Sequence, residues 1–111
     1  MVIATRVLKL RRGSSVADVP ISISEPACEK AGVWGCDYVI GWPEGERSNK
    51  IYGVDSMQAL VCALQIVGAE LYASEHHKSG NLSWDEPDSG YGFPVVPSLR
   101  DLLQGDDAKY L

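Results

Sequence analysis

Apolar and polar residues alternate with period two in three stretches of the first half of the chain. In "RVLKLR" the face carrying Ala4, Leu8 and Leu10 is mostly apolar and Thr5, Lys9 and Arg11 face the other way, which predicts a half-buried strand over about 2–12. In "DVPISISE" Val19, Ile21 and Ile23 alternate with Pro20, Ser22 and Ser24, predicting a strand over about 18–25 that starts at, or tolerates, a proline. "GSSVAD" between them reads as a turn. The strongest alternation is "VWGCDYVIGW", where Trp34, Cys36, Tyr38, Ile40 and Trp42 share one face of a strand over 33–42. The breakers Pro43, Gly45 and Asn49 then mark a turn, and "KIYGVD" predicts a fourth strand, 49–54, pairing back on the third.

The period changes to that of a helix in "GVDSMQALVCALQIVGAEL", which has no charged side chain between Asp55 and Glu70. Asp55 is placed as the N-cap, with Gln58 completing a capping box with the Asp55 backbone, and "HHKSGN" supplies the stop, so the helix is predicted over about 56–75. At 100° per residue Met57, Leu60, Leu64, Val67 and Leu71 form one apolar stripe, expected to lie on the sheet face of Trp34, Tyr38 and Ile40. Val61, Ala63, Ile66, Gly68 and Tyr72 make the flanks apolar too, leaving only a narrow line through Gln58, Cys62, Gln65 and Ala69 for water. A second cover is therefore implied: the chain's own C-terminal segment, a second copy packed through the 56–75 helix, or a different protein.

Residues 81–97 are dense in Gly, Pro, Asp and Ser but keep Leu82, Trp84, Tyr91, Phe93, Val95 and Val96, which predicts a packed loop or a fifth strand. "SLRDLLQ" predicts a short helix over 98–104 with Ser98 as N-cap and Gly105 as stop. The expected fold is α+β: one domain over 1–111, with an antiparallel meander of four or five strands, one long helix on one sheet face and a short C-terminal helix.

With 111 residues, 45% hydrophobic and 23% charged, the chain is sized for one core and has neither a disordered nor a membrane composition. The uncharged run Met57 to Ala69 falls short of the roughly 20 residues a bilayer span needs. In "MVIATRVLKLRRG" the basic residues follow the apolar ones, the reverse of a secretory signal, and a cytoplasmic location is expected. Cys28, Cys36 and Cys62 are odd in number and lack C-x-x-C spacing, so reduced thiols are expected. A net charge of −5 argues against nucleic acid and favours a basic protein partner. The charge is unevenly spread: Arg6, Lys9, Arg11 and Arg12 stand in the first twelve residues with no acid, whereas Asp85, Glu86, Asp88, Asp101, Asp106 and Asp107 cluster late against Arg100.

Candidate chemistry is sparse. Adjacent His76 and His77 point about 100° apart on a helix, which suits two surface side chains better than two ligands of one metal, and no metal or cofactor is expected. Cys36 falls on an apolar face, and Cys62 has no nearby cation to favour its thiolate. "GYGF" lacks the strand, turn and helix of a dinucleotide fingerprint. Aromatic rings beside acids are more suggestive of protein recognition: Trp42 with Glu44 and Glu46 at the third turn, and Trp84 and Tyr91 with Asp85, Glu86 and Asp88 in the late loop. The competing account is that these rings finish the core.

Through "YGVDSMQALVCALQIVGAEL", "GYGFP" and "SLRDLL" the chain resembles a small bacterial domain family of unknown function, over most of residues 1–107. The meander running into "GVDSMQALVCALQIVG", about Trp34 to Leu71, is also similar to the strand-to-helix junction of HicB-like antitoxins. Their partial RNase H-like domain binds and blocks a small basic ribonuclease. The HicB turn is echoed only by "WPEG", and no DNA-binding tail of that kind follows Gly80, so no toxin-contacting residue is carried over. The resulting expectation is a non-enzymatic bacterial protein-binding module, immunity- or antitoxin-like. The alternatives are a small enzyme or ligand-binding domain with a pocket around Trp84, Asp85 and Tyr91, or a structural homodimer.

Overall fold

The computed structural model describes residues 1–86 and 90–94. It is an α+β fold whose elements run β1 (Val2–Arg12), β2 (Ser15–Ser24), β3 (Ala27–Lys30), β4 (Val33–Trp42), β5 (Gly45–Gly53), α1 (Ser56–Ala73), α2 (Glu75–Lys78) and β6 (Leu82–Ser83). All strand pairings are antiparallel. β5 lies along one edge of β4, and β2 and β3 share its other edge; β1 follows β2, and β6 adds to the far edge of β1 at Lys9 and Leu10. The meander thus gains a fifth position from the segment after the helix.

Two turns are tighter than the residue pattern suggests. Arg12 pairs with Ser15, so only Gly13 and Ser14 separate β1 from β2, with Gly13 at φ 62° where a side chain would be strained. Trp42 pairs with Gly45, so the turn expected between strands 33–42 and 49–54 contracts to Pro43 and Glu44, and "GERSNK" is strand. The expected helix 98–104 and the acids Asp88, Asp101, Asp106 and Asp107 lie outside the described residues.

Alternation decides which sheet face is buried. Leu8, Leu10, Val19, Ile21, Ile23, Cys36, Tyr38 and Ile40 all point to the side of α1. The opposite face carries Thr5, Val7, Lys9, Asp18, Ser22, Asp37 and Lys50, with Lys9 bonded to Asp18 across the β1–β2 pair and Lys50 to Glu29.

Asp55 caps α1 by accepting the Gln58 N–H at 2.8 Å. Gln58 Oε1 returns to the Val54 N–H at 2.7 Å, one residue earlier than the expected capping box. The helix ends at Ser74, which leaves helical geometry at φ −72°, ψ 151°, and whose hydroxyl caps α2 by accepting the His77 N–H.

With 18 residues and a mean hydropathy of 1.3, α1 is long and apolar enough to cross a membrane; here it packs along β4 and β5, with Ala59, Ala63, Val67 and Leu71 fully buried. That buried line differs from the expected stripe. Met57 is 74% exposed and Leu60 and Leu64 are half-buried, so the helix is rotated towards its small residues. Close approach is the reason: at Gly53, where β5 hands over to the helix, a Cβ would stand 2.5 Å from the Ala59 backbone nitrogen. The late loop covers the β1 side of the same sheet face through Leu82, Tyr91 and Phe93.

Candidate functional site

The eight residues singled out by sequence do not form one surface. Trp42 and Glu44 belong to the β4–β5 hairpin end. The Trp42 ring is half-buried and lies 5.0 Å from the His76 ring at 34°. His76 Nε2 is 2.8 Å from Glu44 Oε2, and that hydrogen bond holds the Glu44 carboxyl below the ordinary glutamate range. Glu46, two residues on, is exposed.

Trp84 and Tyr91 belong to a different cluster, built on Arg6. The Arg6 guanidinium lies 3.9 Å from the Trp84 ring centroid and 5.2 Å from that of Phe93, and Nη1 donates to the carbonyls of Tyr91 (3.0 Å) and Gly92 (3.2 Å). Arg6 therefore ties the late loop to the inner face of β1. Gly92 is necessary there, since it sits at φ 77° and a Cβ would approach Arg6 Nη1 and Trp84 Cζ3 to 2.7 Å. Trp84 is half-buried against the core and Tyr91, only 3% exposed, is part of it. Asp85 and Glu86 remain exposed, with Asp85 at φ 62°, and Asp88 lies outside the described residues.

The two histidines link these clusters by pointing apart. His76 goes to Trp42 and Glu44, whereas His77 goes inward, its ring 4.7 Å from Tyr72 and 5.5 Å from Tyr91. His77 Nδ1 is 2.5 Å from Tyr91 Oη, which in turn donates to Leu82 O at 3.4 Å. That chain uses each proton once if the neutral ring carries its proton on Nδ1. Burial pushes the His77 pKa down. In the last turn of α1, Tyr38 donates to Glu70, which also accepts from Arg47 Nε. Burial and the Glu70 carboxylate push the Tyr38 phenol up to about 12.

Burial raises the Cys36 thiol, with Asp37 adding to it, and its Sγ lies against Ser24 O. Cys62 is half-buried and Cys28 exposed. Among the described residues no three His, Cys, Asp or Glu side chains are grouped to hold a metal.

Concave regions also occur among the described residues, one of them beside β6, lined by Lys9, Arg11, Val16 and residues 80–83. A groove of about 210 Å³ lies between the sheet and the late loop, floored by Ala4, Arg6, Ile21 and Ile23 and walled by Leu64 and Phe93. Trp84, Asp85 and Tyr91, around which a pocket was expected, are not among its lining residues. A shallow hollow on the first turns of α1 is formed by Asp55, Met57, Gln58, Val61 and Cys62. Here Val54, Met57 and Val61 are 65%, 74% and 42% exposed, an apolar surface that includes Met57, expected on the inward stripe. Arg6 was also missed as a site builder. Its signal was available: a cation on the same strand face as Ala4, Leu8 and Leu10 needs an aromatic or carbonyl partner to be buried there.

No curated protein and no solved structure matches the chain. A family model described as a domain of unknown function, DUF6968, matches residues 4–95, a span that takes in every element from β1 through the Arg6-bound loop, and the chain belongs to that family.

Proposed function

We propose that the protein is a non-enzymatic, protein-binding module of a bacterial cytoplasm, immunity- or antitoxin-like, that masks a basic partner. The observation that carries the reading is the surface of Val54, Met57 and Val61 around the hollow at the start of α1. Its apolar floor has the Asp55 carboxylate at one rim. An apolar strip ending in a carboxylate suits an Arg or Lys side chain, whose methylenes lie on the floor while the charged head meets the acid. Net charge −5 adds long-range attraction for such a partner. Exposed Glu46, Asp85 and Glu86, and Glu44 beside His76, extend the acidic character beyond the hollow. The similarity of the meander-to-helix junction to HicB-like antitoxins supports the same class of partner.

The test uses Asp55→Asn, which removes the charge but keeps a good N-cap. With the basic protein retained from lysate of the source as ligand, calorimetry is expected to show weaker binding by about 1–2 kcal/mol and a shallower salt dependence, with thermal stability unchanged. Met57→Asp is expected to abolish binding. Unaltered affinity in both variants would refute the reading.

The groove favours a second reading, a ligand-binding domain. Its mark would be an apolar small molecule that raises the melting temperature of the wild type, and not of a Leu64→Arg variant.

A further inference from the structure

Among the described residues the outer edge of β1 ahead of Lys9 pairs with no strand, and the proposed binding surface does not use it. Arg11 N–H donates to Asn81 O on the β6 side. Strand alternation gives Lys9, Val7 and Thr5 the same outward direction. Pro20, which has no N–H to donate, stands opposite Val7, consistent with Val7 directing its groups away from β2. β6 pairs only with Lys9 and Leu10, so the main-chain groups of Thr5 and Val7 meet no strand on that edge among the described residues. The side chains there are exposed and apolar or neutral: Val2 is 51%, Ile3 49% and Val7 43% exposed, and Thr5 is exposed. No charged side chain occurs from Val2 to Thr5. Edge strands are ordinarily protected by charge, proline or a covering element; Val2 to Thr5 holds no charge or proline, and among the described residues the late loop borders this stretch across the groove through Gly92, Phe93 and Pro94 without pairing with its edge.

We infer that this edge pairs antiparallel with the same edge of a second copy, across a two-fold axis at Thr5, joining the two sheets into one. The register follows from charge and space. Centred on Arg6, the pairing would set two guanidinium groups directly opposite each other. Centred on Val7, it would run into β6 at Lys9. Centred on Ala4, both central outward-facing pairs would set Thr5 against Ile3, which lies in the register shift between Val2 and Ala4, whereas centred on Thr5 the axial pair is Thr5 with Thr5 and only the flanking Val7–Ile3 pairs meet that shift. Centred on Thr5, Arg6 faces the partner's Ala4, no two cations meet, and Lys9, Arg11 and Arg12 stay under or beyond β6. A foreign strand long enough to bind tightly would have to cross β6, whereas a second copy needs only the short open stretch, supplied twice. The contact is small, at the low end of specific interfaces at roughly 1,000 Å², and dissociation in the range of roughly 1–100 μM is expected.

Thr5 faces solvent on the outer sheet face, so its substitution leaves the core intact. Sedimentation equilibrium of the full chain over a concentration series should give a mass rising from 12.1 kDa to twice that value. Thr5→Lys and Thr5→Glu should each stay monomeric, because each sets like charges opposite itself at the axis, with circular dichroism unchanged. An equimolar mixture of the two variants should recover the dimer, and Met57→Lys on α1 should leave it unaffected. A wild type that stays monomeric throughout the series would overturn the inference. So would dimers of either Thr5 variant alone, a mixture that fails to associate, or loss of the dimer in Met57→Lys.

Discussion

Replacing Gly53 by alanine adds one methyl group at the point where β5 passes into α1. Its Cβ would stand 2.5 Å from the backbone nitrogen of Ala59 and 2.9 Å from Ala59 Cα and Gln58 C. Ordinary contact is about 3.5 Å, so roughly 1 Å of intrusion has to be relieved. The opposing atoms are main chain, and no rotamer change removes them; either α1 lifts from the sheet or β5 shifts. Overpacking of this kind costs about 1–3 kcal/mol, and a backbone collision belongs at the upper end. The lower entropy of the unfolded alanine chain offsets about 0.4–1 kcal/mol. The expected net loss is about 2 kcal/mol, a fall in melting temperature of roughly 10 °C for a chain of this size. Urea and thermal unfolding followed by circular dichroism measure it. Gly41→Ala is the comparison, because its Cβ would meet the Pro20 ring at 2.9 Å, and a ring can change its pucker. Adding Ala59→Gly to Gly53→Ala should not restore stability, since the collision is with atoms glycine also has. A Gly53→Ala protein within about 0.5 kcal/mol of wild type, or rescue by Ala59→Gly, would refute the claim that the helix rests on β5 through this glycine.

Two further outcomes follow from the late loop. The His77 pKa is lowered in the folded state by burial, so the unfolded chain takes up its proton first as pH falls; stability is fully present above about 6.5 and decreases below it. The urea midpoint should therefore drop between pH 7 and pH 5 more steeply in wild type than in His77→Asn, and equal slopes would show that His77 is not the group responsible. Arg6→Lys keeps the charge but loses the planar fork and the stacking on Trp84. A loss of about 1–3 kcal/mol is expected, with a red-shifted tryptophan emission at low denaturant as the loop loosens; an unchanged urea midpoint would count against Arg6 as the tie.

The sheet was legible because its signals are local and redundant. Five residues from Trp34 to Trp42 alternate on one face, and Asp55 announces the helix start. β3 was not legible: "ACEK" is fully exposed and carries no alternation, and it is a strand only because β4 offers it the edge left free beyond Ile23. The clusters around Trp42 and Trp84 were legible as aromatic residues beside charge, but their partners were not. His76 and Arg6 are separated from them in sequence by 34 and 78 residues, and only the fold brings them together. The burial of Tyr91 depends in the same way on His77 and Leu82, contacts that no spacing rule contains.

The face of α1 is a more instructive failure, because the residues were read correctly and the geometry was not. A helix that is apolar nearly all round has no dominant stripe, so hydrophobicity alone barely ranks its possible orientations. Size ranks them instead. The sheet surface beneath it already carries Tyr38, Ile40 and Ile51, and Gly53 draws the helix start to contact distance with β5. Such a floor accepts alanine directly above it and places long side chains to either side, which is where Leu60, Leu64 and Ile66 are found, half-buried. The small residues Ala59 and Ala63 admit the chain's own sheet at close range. Met57 and Val61 are thereby turned outward, so close packing on one side of α1 and the apolar surface on the other arise from the same rotation of the helix.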